Sequence, residues 1–159
     1  MRIAVLACIF MAAVAPKARA ANVEFIRVWP EWREAGSFMS ISEYFTGHEV
    51  TGGWTVVRTH KESRAGYYFL ARVKNPGAAA DGATFVLQVI TPTSADPKTF
   101  RFPADIPKGS NVFELGLTGA DWPGSTTHPV AWKLELHGAD GRMLAEKASF
   151  LWEKPAGAG

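Results

Sequence analysis

The sequence predicts an all-β fold: an antiparallel sandwich of two sheets with Greek-key crossings and one short helix near the N-terminal end. Three observations carry this. Apolar residues recur at every second position in one short run after another, the period of a strand with one face in a core. All 15 glycines and nine of the ten prolines follow residue 20, mostly between those runs, where they punctuate turns. Several connections are long and proline-rich, which suits crossings between two sheets better than a closed barrel.

Residues 1–20 read as a secretory signal. Arg2 supplies a positive start, and the 13 residues from Ile3 to Ala15 carry no charge. Pro16 breaks the run, and Ala18-Arg19-Ala20 places small residues before a cut at Ala21. At about 1.5 Å per residue, such a helix falls well short of a hydrocarbon core of about 30 Å. Cys8 is the only cysteine. Val5-Leu6-Ala7-Cys8 imitates a lipoprotein cleavage box, but seven residues ahead of it are too few for a signal. With the leader removed no cysteine remains, so residues 21–154 are expected to form one disulfide-free domain held by its core.

The opening strand is expected over 23–29, ending at Pro30. Residues 37–46 break the alternation: Phe38, Ile41 and Phe45 form a helical stripe. Ser40-Ile41-Ser42-Glu43 fits a capping box, and Gly47 is a natural stop. This helix should lie over one open end of the sandwich. A strand over 54–60 is expected to pair with 67–74 through the loop 61–66, with Trp54 in the core. Strand 67–74 turns Tyr67, Phe69, Ala71 and Val73 inward. Strand 84–91 buries Phe85, Leu87 and Val89. A short strand at 99–102 offers Phe100 and Phe102, and 112–117 offers Phe113, Leu115 and Leu117.

The clearest alternation runs over 130–137. Val130, Trp132, Leu134 and Leu136 share one face, each worth about 1.5–3 kcal/mol when fully buried. Gly138-Ala139-Asp140-Gly141 makes a tight turn. Residues 142–152 return antiparallel with Leu144, Ala148, Phe150 and Trp152 inward and a bulge near Glu146-Lys147. The tail 155–159 has no side chain worth burying and is expected to be frayed.

Gly116-Leu117-Thr118-Gly119-Ala120-Asp121-Trp122-Pro123, followed by Pro129-Val130-Ala131-Trp132-Lys133-Leu134-Glu135-Leu136, resembles a group of uncharacterised exported bacterial proteins. The hairpin ending Ser149-Phe150-Leu151-Trp152 shares this likeness. In strand rhythm, residues 54–152 resemble the immunoglobulin/fibronectin type III class of sandwiches, without the paired inter-sheet cysteines of antibody domains. The resemblance implies an immunoglobulin-like sandwich and brings no catalytic residues with it.

Composition narrows the function. The chain holds 47% hydrophobic and 20% charged residues, with 17 Lys+Arg against 15 Asp+Glu. Arg2, Lys17 and Arg19 belong to the leader, which leaves 14 basic residues against 15 acidic ones and no cationic field for nucleic acid. His48, His60, His128 and His137 lack ligand spacing, so no metal and no cofactor are expected. There is no Gly-x-Ser-x-Gly, no Walker loop and no paired-carboxylate signature.

Two places attract binding hypotheses. The loop Arg58-Thr59-His60-Lys61-Glu62-Ser63-Arg64 is the densest charge cluster. It is either a solvated hairpin turn, as Glu62 favours, or a tip that binds an anion or partner through His60, Lys61 and Arg64. Of the six tryptophans, Trp132, Trp152 and Trp54 fall on inward faces. Trp29, Trp32 and Trp122 do not, and serve either as covers on the ends of the core or as exposed binding platforms.

The leading functional expectation is an exported, non-enzymatic interaction module, periplasmic or extracellular, that meets the membrane only through its signal peptide. It would bind a protein partner through loops or a sheet edge. The alternative is a carbohydrate-binding module that stacks sugars on Trp29, Trp32 and Trp122, with Tyr44 or Arg33 adding polar contacts.

Overall fold

The computed structural model describes residues 22–39, 43 and 51–153. Eight strands lie among them: β1 (Glu24–Arg33), β2 (Thr55–Arg58), β3 (Gly66–Asn75), β4 (Ala80–Thr91), β5 (Ser94–Ile106), β6 (Gly109–Thr118), β7 (Ala131–His137) and β8 (Met143–Ala148). One helical turn, α1 (Phe150–Glu153), follows. The strands form two sheets of four, ordered β1-β3-β6-β2 and β5-β4-β7-β8.

The two sheets bury their facing sides against each other. Tyr67, Phe69, Ala71 and Val73 of β3 and Phe113, Leu115 and Leu117 of β6 meet Phe85, Leu87 and Val89 of β4 and Trp132, Leu134 and Leu136 of β7 in one cluster. These are the period-two sets of the four central strands, as the alternation requires. Rings lock the layers together: Phe85 meets Phe113 at 5.0 Å and Phe69 meets Trp132 edge-on at 5.8 Å between centroids.

The edges depart from expectation, each for a physical reason. The second sheet is antiparallel throughout, but the first is mixed, because β2 runs parallel to β6. Residues 55–58 therefore do not pair with β3. That strand is flanked along its length by β1 and β6, so β2 takes the free side of β6. Strand β1 continues through Pro30 to Arg33, since an edge strand tolerates a missing N–H on its outer side. Strand β5 runs from Ser94 to Ile106 rather than over four residues; it is mostly exposed, so alternation marks only its buried part. Pro97 and Pro103 lie within this edge strand, where they blunt it against further pairing.

Several apolar residues placed inward by period are not in the core. Trp54 is 43% exposed, on a turn closed by its N–H donating to Thr51 O at 3.1 Å. Val130 is 44% exposed, one residue ahead of β7, where its N–H donates to Ile90 O at 2.8 Å. Strand β8 stops at Ala148, and α1 swings Phe150 outward while Trp152 lies half-buried. The irregularity in this hairpin falls at Leu144, not at Glu146-Lys147: His137 faces Met143 and Leu136 faces Ala145. The helix expected over 37–46 does not begin at 37. Residues Ala35–Phe38 form a 3-10 turn and Met39 is extended. Its capping serines and Tyr44, like the leader 1–20 and the tail 155–159, lie outside the described residues.

Candidate functional site

Both sheets bring their loops to a common end. Gly66 lies opposite Arg33 and Thr118, Thr91 opposite Ser94, Ile90 opposite Ala131, and Lys133 opposite Ala148. Loop 59–65, the segment 119–130 and α1 therefore share one end of the sandwich, with Trp32 and Arg33 at the close of β1.

Loop 59–65 is stitched to β6. Thr118 Oγ1 donates to His60 O at 2.9 Å and accepts from His60 N at 3.0 Å, and Thr118 N donates to Thr59 Oγ1 at 3.0 Å. Buried Thr118 thus fixes the tip from below. The His60 ring has Nε2 3.1 Å from Asp121 Oδ2 and Nδ1 3.7 Å from Glu62 Oε1. It rests against Gly119, whose φ of 59° a side chain rarely adopts. Arg64 Nη2 lies 2.5 Å from Glu43 Oε1. His60 and Arg64 are thus committed to carboxylates, while exposed Lys61 makes no ion pair among the described residues.

The three unplaced tryptophans occupy three settings. Trp122 is buried at the end of the core, 4.7 Å from the Tyr67 ring, with Nε1 donating to Thr127 O at 3.1 Å. It covers the core and presents no platform. Trp32 packs on the same core and its Nε1 donates to Glu34 Oε1 at 2.7 Å. Trp29 lies on the opposite face of β1, with the Arg27 guanidinium 5.0 Å from its ring centre. No single surface unites them. Tyr67 closes this end: its hydroxyl is 3.3 Å from His128 Nδ1, and burial, then the Glu31 carboxylate, pushes its pKa up.

What stands out at this end is apolar. Phe150 is 78% exposed and Leu151 is 55% exposed. They are not frayed. Ser149 N donates to Trp132 O and Ser149 Oγ accepts from Trp132 N, at 2.9 and 3.0 Å. Trp152 N donates back to Ser149 O at 3.0 Å, and the Lys133 ammonium lies 5.7 Å from the Trp152 ring centre. Residues 149–152 thus form an anchored tip with two large side chains in water.

A second constellation, missed by the sequence reading, covers the outer face of the first sheet. Phe38 packs on Tyr68 and Leu70, with Trp29 and Val56 at the margin. The guanidinium carbons of Arg33 and Arg58 lie 4.6 and 4.7 Å from the Phe38 ring centre. Arg33 reaches across β3 to pair with Glu114, which is 2% exposed. Arg58 Nε donates to the Tyr68 hydroxyl, which donates to Arg64 O, both at 2.7 Å. Gly116 permits this: a Cβ there would lie 2.5 Å from the Tyr68 ring. Burial pushes the Glu114 pKa up, opposed by the Arg33 and Arg58 charges and the Arg33 hydrogen bond. Two signals for this cluster were in the sequence. Tyr68 and Leu70 make 67–71 apolar on both faces, and Glu114 sits between Phe113 and Leu115.

On the outer face of the second sheet, both ring nitrogens of His137 face acceptors. Nε2 is 2.8 Å from Glu135 Oε2 and Nδ1 is 3.2 Å from Gly141 O. Only the imidazolium donates to both. The Glu135 hydrogen bond, then the Gly141 carbonyl, holds its pKa above the ordinary value, against burial and the Arg101 charge. Glu135 is held below the ordinary carboxylate range, first by Lys133 and then by His137. Glu146 faces Glu135 from β8. The stabilisation from His137 is full below its unfolded pKa of about 6.5 and is lost as pH rises through the higher folded value. His137 should titrate above about 6.5 by NMR. A denaturation midpoint that falls over that window should stop doing so in His137→Ala; an ordinary titration overturns the assignment.

Among the described residues, no group of three or more His, Cys, Asp or Glu side chains is placed to hold a metal ion. None of their helices is long and apolar enough to cross a membrane. No family model and no curated protein matches the chain. Among solved structures, it is similar to beta-glucuronidase 2 of Bacteroides uniformis at 11% identity and a TM-score of 0.45, over 80% of this chain and 14% of that one. It is also similar to an immunoglobulin-like protein from Pseudomonas aeruginosa at 20% identity and a TM-score of 0.32, over 82% of this chain and 96% of that one. The chain thus spans about a seventh of the glucuronidase, and neither likeness carries a functional argument.

Proposed function

We propose that the chain is an exported, non-enzymatic sandwich module of immunoglobulin-like, Greek-key construction that binds a protein partner through the end bearing α1. The observation that supports this is the anchored exposure of Phe150 and Leu151. Two large apolar side chains held in water are unfavourable for an isolated domain. Covering them releases about 1.5–3 kcal/mol each. Because residues 149–152 are tied to β7 by backbone and side-chain hydrogen bonds, little order is lost on docking. Val130, next to Ala131, is a further exposed apolar side chain at this end. The separate settings of Trp29, Trp32 and Trp122 offer a sugar no shared row of rings.

Site-specific photo-crosslinking in intact cells of the native host tests the proposal. A probe at Leu151 should give one discrete adduct, lost with Phe150→Asp, while a probe at exposed Lys98 on β5 should not give it. N-terminal sequencing of the adduct's sandwich chain should begin at Ala21. Adducts common to both probe positions, or none, would overturn the binding surface; a chain beginning at Met1 would overturn export.

A further inference from the structure

The opposite end of the sandwich holds a half-open cleft of about 430 Å³. It lies where β1, β4 and β8 begin and β3 ends. Five of its nine lining residues are apolar: Val23, Ala78, Ala80, Met143 and Leu144. Asn22, Asn75 and Gly77 complete the lining, and Arg142 is its one charged member.

The cleft is built into the fold. Asn75 is 2% exposed, and its side chain pins the loop that follows it. Its Nδ2 donates to Ala78 O at 2.7 Å and Ile106 O at 3.3 Å, and its Oδ1 accepts from Gly77 N at 3.1 Å. The opposing wall is set by the β7–β8 turn. Gly138 N donates to Arg142 O at 2.9 Å and Arg142 N donates to Asp140 Oδ1 at 3.0 Å. The Arg142 backbone is therefore fixed, while its side chain is exposed at the rim and makes no ion pair among the described residues.

An apolar hollow with one uncommitted guanidinium selects a ligand with a matching division of character. Its volume falls in the range of small-molecule sites, roughly 300–1,000 Å³. The guanidinium fork matches a carboxylate, and a planar bidentate pair is stronger than a neutral hydrogen bond. We propose that this cleft binds a small amphiphilic carboxylate, its aliphatic body between Val23, Ala80 and Leu144 and its head on Arg142.

Hexanoate and 1-hexanol share a body and differ in the head, so together they test this on the full chain. Methyl NMR should show hexanoate shifting Ala78, Ala80 and Leu144. Affinity should fall about tenfold or more in Arg142→Gln, and 1-hexanol should bind unmodified protein no better than hexanoate binds that variant. Ala78→Leu, which narrows the cleft, should weaken both probes. Equal affinity for the two probes, an unchanged Arg142→Gln, or shifts only outside the cleft would overturn the proposal. The α1 end takes no part in this measurement, so neither reading depends on the other.

Discussion

Arg33→Ala lowers the stability of the fold by about 3–5 kcal/mol at neutral pH, the range for breaking one side of a buried ion pair. The reason lies in Glu114. Its carboxylate is 2% exposed and pairs with Arg33, whose guanidinium stacks on Phe38, so removing the guanidinium leaves the charge with little water. Phe38 loses a stacking partner at the same time. The pH dependence is diagnostic. Burial already raises the Glu114 pKa against the pull of Arg33, and the substitution removes that pull. An acid whose folded pKa is raised contributes stability that is full below its unfolded value, about 4.3, and is lost as pH rises through the folded value. The gap between Arg33→Ala and the unmodified protein should therefore be wide at pH 7 and narrow near pH 4 in denaturant melts. Equal gaps at both pH values would show that Glu114 is not the group left stranded.

Trp132→Ala has an effect of similar size, about 3–5 kcal/mol, by cavity formation. Trp132 is 8% exposed, lies opposite Val89 and meets Phe69 edge-on. For a domain of this length the melting temperature should drop by roughly 10 °C. Its neighbour Lys133 points to the other face, and alternation alone predicts an effect within about 0.5 kcal/mol for Lys133→Ala. The structure raises that figure to about 1 kcal/mol, because the ammonium pairs with Glu135 at 2.6 Å and lies by the Trp152 ring. Calorimetric melts that rank the two substitutions alike would refute the facing of β7.

The four central strands were legible because each packs one face in the shared core and repeats an apolar residue every second position. Phe69, Phe85, Leu115 and Leu134 are where that period puts them. Edge strands carry a weaker imprint. Strand β5 buries Phe102 and Ile106 but leaves most of its first half in water, so that half lacks alternation. Strand β2 follows the rule locally, yet nothing in Thr55-Val56-Val57-Arg58 specifies parallel pairing with a partner far along the chain. Phe150 shows the converse failure: its parity is right, but the chain leaves the sheet at Ser149 and turns into α1.

The candidate site residues were Trp29, Trp32, Trp122, His60, Lys61 and Arg64; the fold brings all but Trp29 to one end, and Trp29 lies on the opposite face of β1. The sequence did not foresee that Asp121 and Glu43 would take up His60 and Arg64, because both partners come from other segments. Glu114 was passed over for the same reason. A carboxylate on an outward position reads as solvated until Arg33, from the end of β1 and stacked on Phe38, reaches across to it.

The parallel seam between β2 and β6 also fixes a chronology. Thr55 meets Phe113, so ribosomes must deliver everything between them before β2 acquires its neighbour. At translation speeds of about 5–20 residues per second, β2 waits several seconds for the strand that will flank it.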